Sequence, residues 1–449
     1  MNYKMVNPEI KFINHASILI SYKKINLLSD PWYAGTAFDN GWKLLYESNV
    51  KEIHQMLENK VTHIWISHEH PDHFSVSFFK IFKNILINKK IQILFQETND
   101  KRVISFLKKN NYIIRELKFM KDYFLTKDFS IKCIKDGFYD SALLATCGSK
   151  KILNLNDCQF NDEKSLLEIK KLTGKLDLLA TQFSYAAWKG GIKNISWRQK
   201  AAEDKITNIK MQIKYLKPNF LLPFASFIYF CNKDNFYMND SINKPKDLIN
   251  KLKGEKSNIL IMQPNEIFDF NSSINNKSAI QFWNIKLEQI KDNELCKSNI
   301  IGFDKLLENF QRYRARIITN NNLLLLKFIY YFLPLSFFRP VYIFLEDLKE
   351  TFEIDYVKNI FKKTSKKPML IMKSESLLFI FQNKFGFDTI NVNSRFEEAN
   401  KYGWSKASKS LAIETLNNMG YKVNINLFFN RNIILLFFKV IFKVNKNLK

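Results

Sequence analysis

Histidine is scarce in this chain of 449 residues and is confined to its first part. All six histidines lie at or before His73, so any metal ligand after that position must be another residue type. The five cysteines, which form no Cys-x-x-Cys pair, are Cys133, Cys147, Cys158, Cys231 and Cys296. This spacing argues against a disulfide framework and a cysteine zinc site, and it predicts reduced thiols in a cytoplasmic protein.

Long apolar segments are also rare. The sequence shows no apolar signal segment, which agrees with a cytoplasmic location. The longest apolar run, residues 323–338, contains Lys327 and Pro334 and is too short for a bilayer span. Residues 432–444 are apolar with interspersed lysines. We expect them to form a packing or docking helix, and the alternative is a peripheral membrane contact.

Acidic residues are few beside basic ones. The chain has 43 Asp and Glu against 69 Lys and Arg, a formal net charge of +26. Such a charge attracts anions in general, including nucleic acids and anionic membranes. However, Lys, Asn, Ile and Phe all have AT-rich codons, so codon bias accounts for much of the excess. Because no basic stripe with interleaved aromatics is present, we expect no nucleic-acid partner and a small anionic substrate instead.

One short run carries most of the chemistry. A buried strand is predicted over residues 64–66, and four ligand-type side chains follow it: His68, His70, Asp72 and His73. A loop at a strand end can aim several side chains at one point. Neutral imidazole and carboxylate are the usual ligands for zinc, iron and manganese, so the run predicts a divalent metal site. The alternative is a polar loop whose histidines form only local hydrogen bonds.

Strands and helices alternate through the first part of the chain. The predicted strands cover residues 10–13, 17–21, 25–29, 64–66, 91–95, 112–114, 129–134, 141–146, 152–154, 178–181 and 220–224, and the predicted helices 52–59, 78–87, 102–109 and 198–215. This order favours an α/β sandwich with helices covering two packed sheets. A polar segment near residue 272 predicts a boundary between a catalytic domain, 1–271, and an accessory domain of unknown role, 272–449. Residues 385–396 are predicted as a turn, a strand and a loop.

The pattern His-x-His-x-Asp-His after an apolar strand resembles the signature of the metallo-β-lactamase superfamily. The resemblance implies a four-layer αββα sandwich, here followed by a C-terminal α+β domain. It implies that His68, His70 and His73 bind metal, with zinc expected before iron or manganese. It also implies that Asp72 binds a second metal or stands beside the nucleophilic water as the catalytic base.

The superfamily supplies further histidine ligands from later loops, and this chain has no histidine left for them. Asp157 matches the place of the family's bridging aspartate, directly after Asn156; the alternative is a simple turn. Asp140 is the candidate to replace the missing middle histidine, and an ordinary turn is again the alternative.

A wider series of motifs narrows the resemblance. These motifs are His15-Ala16-Ser17, Asp30-Pro31-Trp32, Gly41-Trp42, Gln182-Phe183-Ser184 and Pro223-Phe224-Ala225. Together they resemble the metallo-β-lactamase-type part of the CMP-N-acetylneuraminate hydroxylase group and its bacterial relatives assigned to UDP-N-acetylmuramate hydroxylation, over about residues 8–245. The resemblance implies a sugar-nucleotide or related N-acylated sugar substrate. His15, Asp30 and Asn156 are then expected as substrate contacts or as partners that orient the ligands.

Such hydroxylases carry a Rieske iron–sulfur domain, whose paired cysteine and histidine ligands this sequence lacks. A metal centre alone can still hydrolyse a substrate by lowering the pKa of a bound water. We therefore expect a hydrolase acting on a sugar nucleotide or a related N-acylated or phosphorylated sugar. The alternative is the catalytic component of an N-acyl-sugar hydroxylase that takes electrons from a separate Rieske or ferredoxin protein. A third hypothesis is a non-catalytic binding protein with a degraded site.

Overall fold

The computed structural model describes residues 7–332 and 336–426. The described chain divides into two compact units. The first contains residues up to 232 together with 236–296, and the second contains 233–235 and the described residues from 297 onward. Among the described residues, no helix is both long and apolar enough to cross a membrane. The predicted helix at 432–444 lies outside the described residues.

Three sheets build the first unit. Their strands are β1 (Glu9–Asn14), β2 (Ser17–Tyr22), β3 (Ile25–Ser29), β4 (Thr36–Ala37), β5 (Trp42–Leu44), β6 (His63–Ile66), β7 (Gln92–Gln96), β8 (Ile113–Leu117), β9 (Asp122–Thr126), β10 (Phe129–Asp136), β11 (Asp140–Cys147), β12 (Lys150–Asn156), β13 (Leu178–Gln182), β14 (Phe220–Phe224), β15 (Ile228–Phe230), β16 (Asn258–Ile259) and β17 (Ile267–Asp269). One seven-stranded sheet has the order β17-β1-β2-β3-β6-β7-β8, and the other β16-β14-β13-β12-β11-β10-β9. A small third sheet has the order β15-β5-β4.

Helices cover the outer faces of the two large sheets. They are α1 (Val50–Asn59), α2 (Val76–Ile81), α3 (Lys83–Asn88), α4 (Arg102–Lys109), α5 (Glu163–Thr173), α6 (Ile195–Leu216), α7 (Pro245–Lys251) and α8 (Lys277–Gln289). The single helix predicted at 78–87 is two helices, because the backbone at Phe82 turns to ψ 15° and ends α2.

The alternation of side chains along each strand separates two cores. Trp65 and Leu94 point into a cluster shared with the second sheet, whereas Ile64, Ile66 and Ile93 point into a cluster shared with helices α1 to α4. This division follows from the two-residue period of a strand. In the first sheet, therefore, both faces are apolar and both are covered.

The second large sheet is covered in the same way. Leu166 of α5 and Ile206 of α6 join the core cluster that contains Leu153 and Leu178. These two helices connect the parallel strands β12, β13 and β14, and such crossovers lie on one face of a sheet. The layers are therefore helix, sheet, sheet and helix, and the predicted αββα sandwich is confirmed.

Helix α8 extends the first unit beyond the predicted boundary. Trp283 is fully buried, its Nε1 donates to the Met262 carbonyl at 2.9 Å, and its ring stacks on Phe227 at 3.9 Å between centroids. The units divide between Cys296 and Lys297. The predicted boundary near residue 272 was therefore placed too early, because a polar segment there resembled a linker while the helix after it packs into the core.

The second unit combines one sheet with helices, as the predicted α+β class requires. Its strands are β18 (Val341–Leu345), β19 (Glu350–Asp355), β20 (Ile360–Lys363), β21 (Leu370–Met372) and β22 (Phe396–Glu398), in the order β20-β19-β18-β21-β22. Its helices are α9 (Phe303–Asn320), α10 (Leu323–Phe332), α11 (Ser374–Gln382), α12 (Gly386–Asn393), α13 (Gly403–Leu411) and α14 (Ile413–Asn418).

Helix α12 corrects the strand predicted within residues 385–396. Its β-branched residues favour a strand in isolation, but Phe387 and Ile390 lie three positions apart and are both buried. That spacing puts them on one face of a helix, so packing overrides the local preference.

Candidate metal centre

The site lies where parallel strands of both large sheets end. In the first sheet β3, β6 and β7 run parallel, so Asp30 after β3 and the histidine loop after β6 lie at one edge. In the second sheet β12, β13 and β14 run parallel, which brings Asp157 beside the end of β13 at Gln182. Ligands commonly bind at the carboxyl ends of parallel strands.

Three predicted ligands form a first group of converging atoms. One nitrogen each of His68 and His73 and one oxygen of Asp157 lie within 4.8 Å of one another. His73 Nε2 is 3.4 Å from Asp157 Oδ2, and His68 Nε2 is 4.0 Å from the same oxygen. His70 is adjacent, with its Nδ1 2.9 Å from His68 Nε2. His68 and His73 therefore converge with Asp157, and His70 lies beside His68.

A second group shares His73 with the first. It consists of His15, Asp72 and His73, all of them buried. Asp72 Oδ2 lies 3.4 Å from His15 Nε2 and 3.2 Å from His73 Nε2. His15 was predicted as a substrate contact or an orienting partner, and the structure places it with atoms suited to bind metal.

The second acidic candidate also lies at the site. Asp140 Oδ1 is 3.7 Å from His68 Nε2, and burial raises the pKa of this carboxyl to about 6. Both Asp140 and Asp157 are thus within reach of the histidines, although the chain separates them by the whole of β11 and β12.

Buried polar residues hold the imidazoles in place. Asp30 Oδ2 lies 3.3 Å from His73 Nδ1, while Oδ1 accepts from the Ser67 backbone N–H at 2.8 Å. Asn156 Nδ2 donates to Ser67 Oγ at 2.6 Å and also to Asp30. Ser67 Oγ in turn shares a hydrogen bond of 2.9 Å with His68 Nδ1. These contacts leave the Nε2 atoms of both rings directed at the site.

Sequence reasoning missed the residues that fix the start of this loop. The Ser67 carbonyl accepts from Gln96 Nε2 at 2.8 Å and from Ser141 Oγ at 2.7 Å. The available signal was Gln96 itself, a polar residue that ends the apolar strand β7 and is nevertheless buried.

Several site residues adopt left-handed backbone conformations. The φ angles are 40° at His15, 36° at Asp30, 53° at Asn156 and 52° at Ala225. Histidine, aspartate and asparagine tolerate this region better than most residues, and such strain is concentrated at functional sites. The turns that follow β1, β3, β12 and β14 are therefore shaped for the site.

The electrostatics favour a positive charge at His73, which the two groups share, and disfavour one at His68 and His70. Burial, and then the neighbouring imidazole, lower the pKa of His68 and of His70 to about 4. Burial opposes a charge on His73 as well, but Asp72 and Asp157 outweigh it and hold the pKa of His73 well above its usual range. Despite its own burial, Asp72 has a pKa held well below the usual range by His73.

Unpaired buried atoms supply a test of whether these residues fit a metal. His73 Nε2, Asp72 Oδ1 and His15 Nδ1 are buried and form no hydrogen bond within the described ranges. Burying a polar atom without a partner is costly, and two of these atoms belong to residues whose other donor atoms converge on His73. The set of imidazoles and carboxylates fits a divalent metal such as zinc, iron or manganese.

A pocket opens beside the candidate ligands. Its lining includes His15, Trp42, Asp72, Asp157, Gln182 and Ser184. The cavity there has a volume of about 10 Å³, about the size of one water molecule. Its lining includes the carboxylates of Asp72 and Asp157, which both lie near His73 Nε2.

Comparison with known proteins supports the resemblance inferred from the motifs. The CMP-N-acetylneuraminic acid hydroxylase of Danio rerio is 24% identical over 290 residues, covering 60% of this chain and 47% of that protein. The hydroxylase of Asterias rubens is 26% identical over 262 residues, covering 54% and 38%. The chain thus spans about half or less of the length of these relatives. No family model matches it.

Solved structures align with the same part of the chain. Igni18, a metallo hydrolase from Ignicoccus hospitalis, aligns at 13% identity and a TM-score of 0.43, covering 60% of this chain and 100% of that one. CmlA, a diiron β-hydroxylase from Streptomyces venezuelae, aligns at 10% identity and a TM-score of 0.40, covering 59% and 54%. The layer order and the histidine loop at the carboxyl edge decide the fold class. The first unit is a four-layer αββα sandwich similar to the metallo-β-lactamase fold. In this unit, Asp140 lies beside His68 and His15 beside Asp72 and His73.

Proposed function

We propose that this protein is a metal-dependent hydrolase of sugar nucleotides or related N-acylated, phosphorylated sugars. The observation that carries the proposal is the convergence of His68, His73 and Asp157, with His73 Nε2 buried and free of hydrogen bonds within the described residues. A divalent metal held there would lower the pKa of a bound water towards neutrality.

The residues around the candidate metal position have two further roles, which are to orient the water and to orient the imidazoles. Asp72 stays ionised, and its buried Oδ1 is available to accept a hydrogen bond from the attacking water and so to orient it. Asp30 contacts His73 Nδ1 and Ser67 contacts His68 Nδ1, so both imidazoles keep Nε2 for the metal.

The substrate class comes from the relatives and from charge. The hydroxylases that match this chain are named for CMP-N-acetylneuraminic acid, an N-acylated sugar nucleotide. A formal net charge of +26 favours the approach of such an anion. We therefore place the substrate among sugar nucleotides and their phosphorylated relatives.

Metal content and product analysis test this function. We expect purified protein to hold zinc or manganese, and we expect a change of His73 to Ala to abolish binding. The control is a change of His54 to Ala, because His54 is exposed on α1. Metal-loaded protein should release hydrolysis products from N-acylated sugar nucleotides, followed by mass spectrometry. Equal metal content in wild type and His73→Ala would contradict the ligand assignment.

The second candidate function is that of a hydroxylase component. Its support is that the matching relatives are hydroxylases. In that case the same ligands would hold iron, and a separate Rieske or ferredoxin protein would deliver electrons. Iron content, together with a product one oxygen atom heavier that forms only with dioxygen and a reductant, would favour it over hydrolysis. Protein that holds no metal at all would instead favour a non-catalytic role.

A further inference from the structure

Two cysteine sulfur atoms lie in contact in the first unit. Cys231 Sγ is 3.9 Å from Cys296 Sγ, and both residues are free thiols. The two positions are 65 residues apart along the chain, so the fold and not the local sequence brings them together. Within the described ranges, the sulfur atoms of the other three cysteines make no such contact with one another.

The backbone holds this pair at the spacing of neighbouring strands. The Cys296 N–H donates to the Cys231 carbonyl at 2.9 Å, and Cys296 forms a parallel bridge with Asn232. Neighbouring strands lie about 4.8 Å apart. A disulfide spans roughly 4.4–6.8 Å between its Cα atoms, so this pairing suits one. Rotation of the two side chains can then bring the sulfur atoms to bonding distance with little movement of the backbone.

The two thiols differ in their access to solvent. Cys231 is fully buried, whereas Cys296 is half-buried. Burial raises the pKa of the Cys231 thiol, and the neighbouring Cys296 raises it further. Because the thiolate is the reactive form, a buried thiol with a raised pKa reacts slowly with reagents in solution. Cys296 is therefore the thiol that an oxidising reagent meets first.

We propose that Cys231 and Cys296 form a reversible disulfide by exchange with a low-molecular-weight disulfide such as oxidised glutathione. The Cys296 thiolate attacks one sulfur of the reagent, which releases one glutathione and leaves a mixed disulfide at Cys296. The Cys231 thiolate then attacks Cys296 Sγ and releases the second glutathione. The protein is oxidised by two electrons, and the two thiol protons end on the released glutathione molecules.

The bond would fasten the end of the first unit, whose last residue is Cys296, to the end of β15. Phe230 of β15 pairs with Trp42 of β5, and Trp42 lines the pocket beside Asp72. The proposed bond therefore joins a strand next to the candidate metal centre. It does not rest on the proposed function, because the two thiols belong to neither group of candidate ligands.

Thiol counting on the full-length protein tests the proposal. We expect wild type incubated with oxidised glutathione to show three free thiols instead of five after denaturation in an alkylating reagent. Its mass should fall by two hydrogen atoms, and a peptide map should join Cys231 to Cys296. Treatment with dithiothreitol should restore all five thiols. Five free thiols in the treated wild type, or a bond to another cysteine, would overturn the proposal.

Single substitutions test the order of the two steps. Cys231→Ala should retain one glutathione at Cys296, because no second thiol is present to displace it. Cys296→Ala should retain none, since the remaining thiol of the pair is buried. The matched control is Cys147→Ala, a buried cysteine of β11, which should still form the bond. Glutathione retained by Cys296→Ala at Cys231 would contradict Cys296 as the thiol that reacts first.

Unfolding by denaturant provides a second readout, which does not depend on any variant. A cross-link over this length of chain restricts the unfolded state. We therefore expect the oxidised wild type to unfold at a higher denaturant concentration than the reduced protein, with the shift reversed by dithiothreitol. An unchanged or lower midpoint would show that the bond distorts the fold, and it would overturn the fit inferred from the strand pairing.

Discussion

Asp30 joins the two halves of the site at the scale of a single residue. One carboxylate contacts the His73 ring, the Ser67 backbone and the Asn156 side chain. These partners belong to the histidine loop of the first sheet and to the end of β12 in the second. A substitution at Asp30 would therefore alter metal affinity only through the orientation of other residues.

We expect Asp30→Asn to lower metal affinity by roughly 10- to 100-fold, the usual effect of losing a partner that orients a ligand. Asparagine tolerates the φ of 36° at this position, so the turn should persist. A competition titration against a metal-binding dye would measure the change. Asp204→Asn, at a side chain 54% exposed on α6, is the control. Wild-type affinity in Asp30→Asn would show that the Asp30 contact does not matter.

The buried ammonium of Lys205 gives the folding stability a pH dependence. Its pKa is about 8 in the folded chain and 10.5 in the unfolded chain, so the unfolded state binds more protons between these values. Stability should therefore rise with pH across this window, where folding no longer buries a charge. Lys205→Met should lose this rise and gain about 1–3 kcal/mol at neutral pH. Denaturant unfolding near pH 7 and near pH 10 measures this change in the free energy of unfolding. A lower stability near pH 10 than near pH 7 would show that the charged lysine stabilises the fold.

Helix α8 is the element whose assignment changed most from sequence to structure. It contributes Ala279, Trp283 and Leu287 to the core of the first unit. We expect Trp283→Ala to destabilise the unit by about 3–5 kcal/mol, because it removes a buried aromatic ring and a hydrogen bond. The measurement is the denaturant concentration at which bound metal is released. Trp197→Ala, at a tryptophan 46% exposed, should change it little.

Strands were more predictable than helix boundaries, for a physical reason. Buried parallel strands such as β6 and β13 are short apolar runs that end at polar residues, so sequence alone locates them. The break at Phe82, the helical state of 386–393 and the membership of α8 depend on contacts with distant residues. A local pattern cannot report those contacts.

The site shows the same division between local and distant information. The run from His68 to His73 is contiguous, and its spacing alone predicted a metal centre. Ser67 and Ser141 gave no local signal, because their contact arises where strand ends of two sheets meet. The whole fold was thus predictable in its layers, whereas the pocket wall was not.

At the scale of the whole molecule, the excess of positive charge should raise the association rate of anionic ligands. With a net charge of +26, the protein should attract a phosphate ester over a distance that salt shortens. We expect the association rate of glucose 1-phosphate to fall severalfold between roughly 0.05 and 0.5 M salt, as measured by stopped flow. Glucose, which is neutral, should show no such fall. An equal response of both sugars would assign the effect to something other than long-range attraction.

The gathering of strand ends from two sheets has a consequence during biosynthesis. During synthesis, the histidines of the first sheet emerge well before Asp157 has been translated. Cation loading must therefore wait until both sheets have closed. A chain truncated before β12 should therefore expose its histidines to solvent and bind cations with little selectivity.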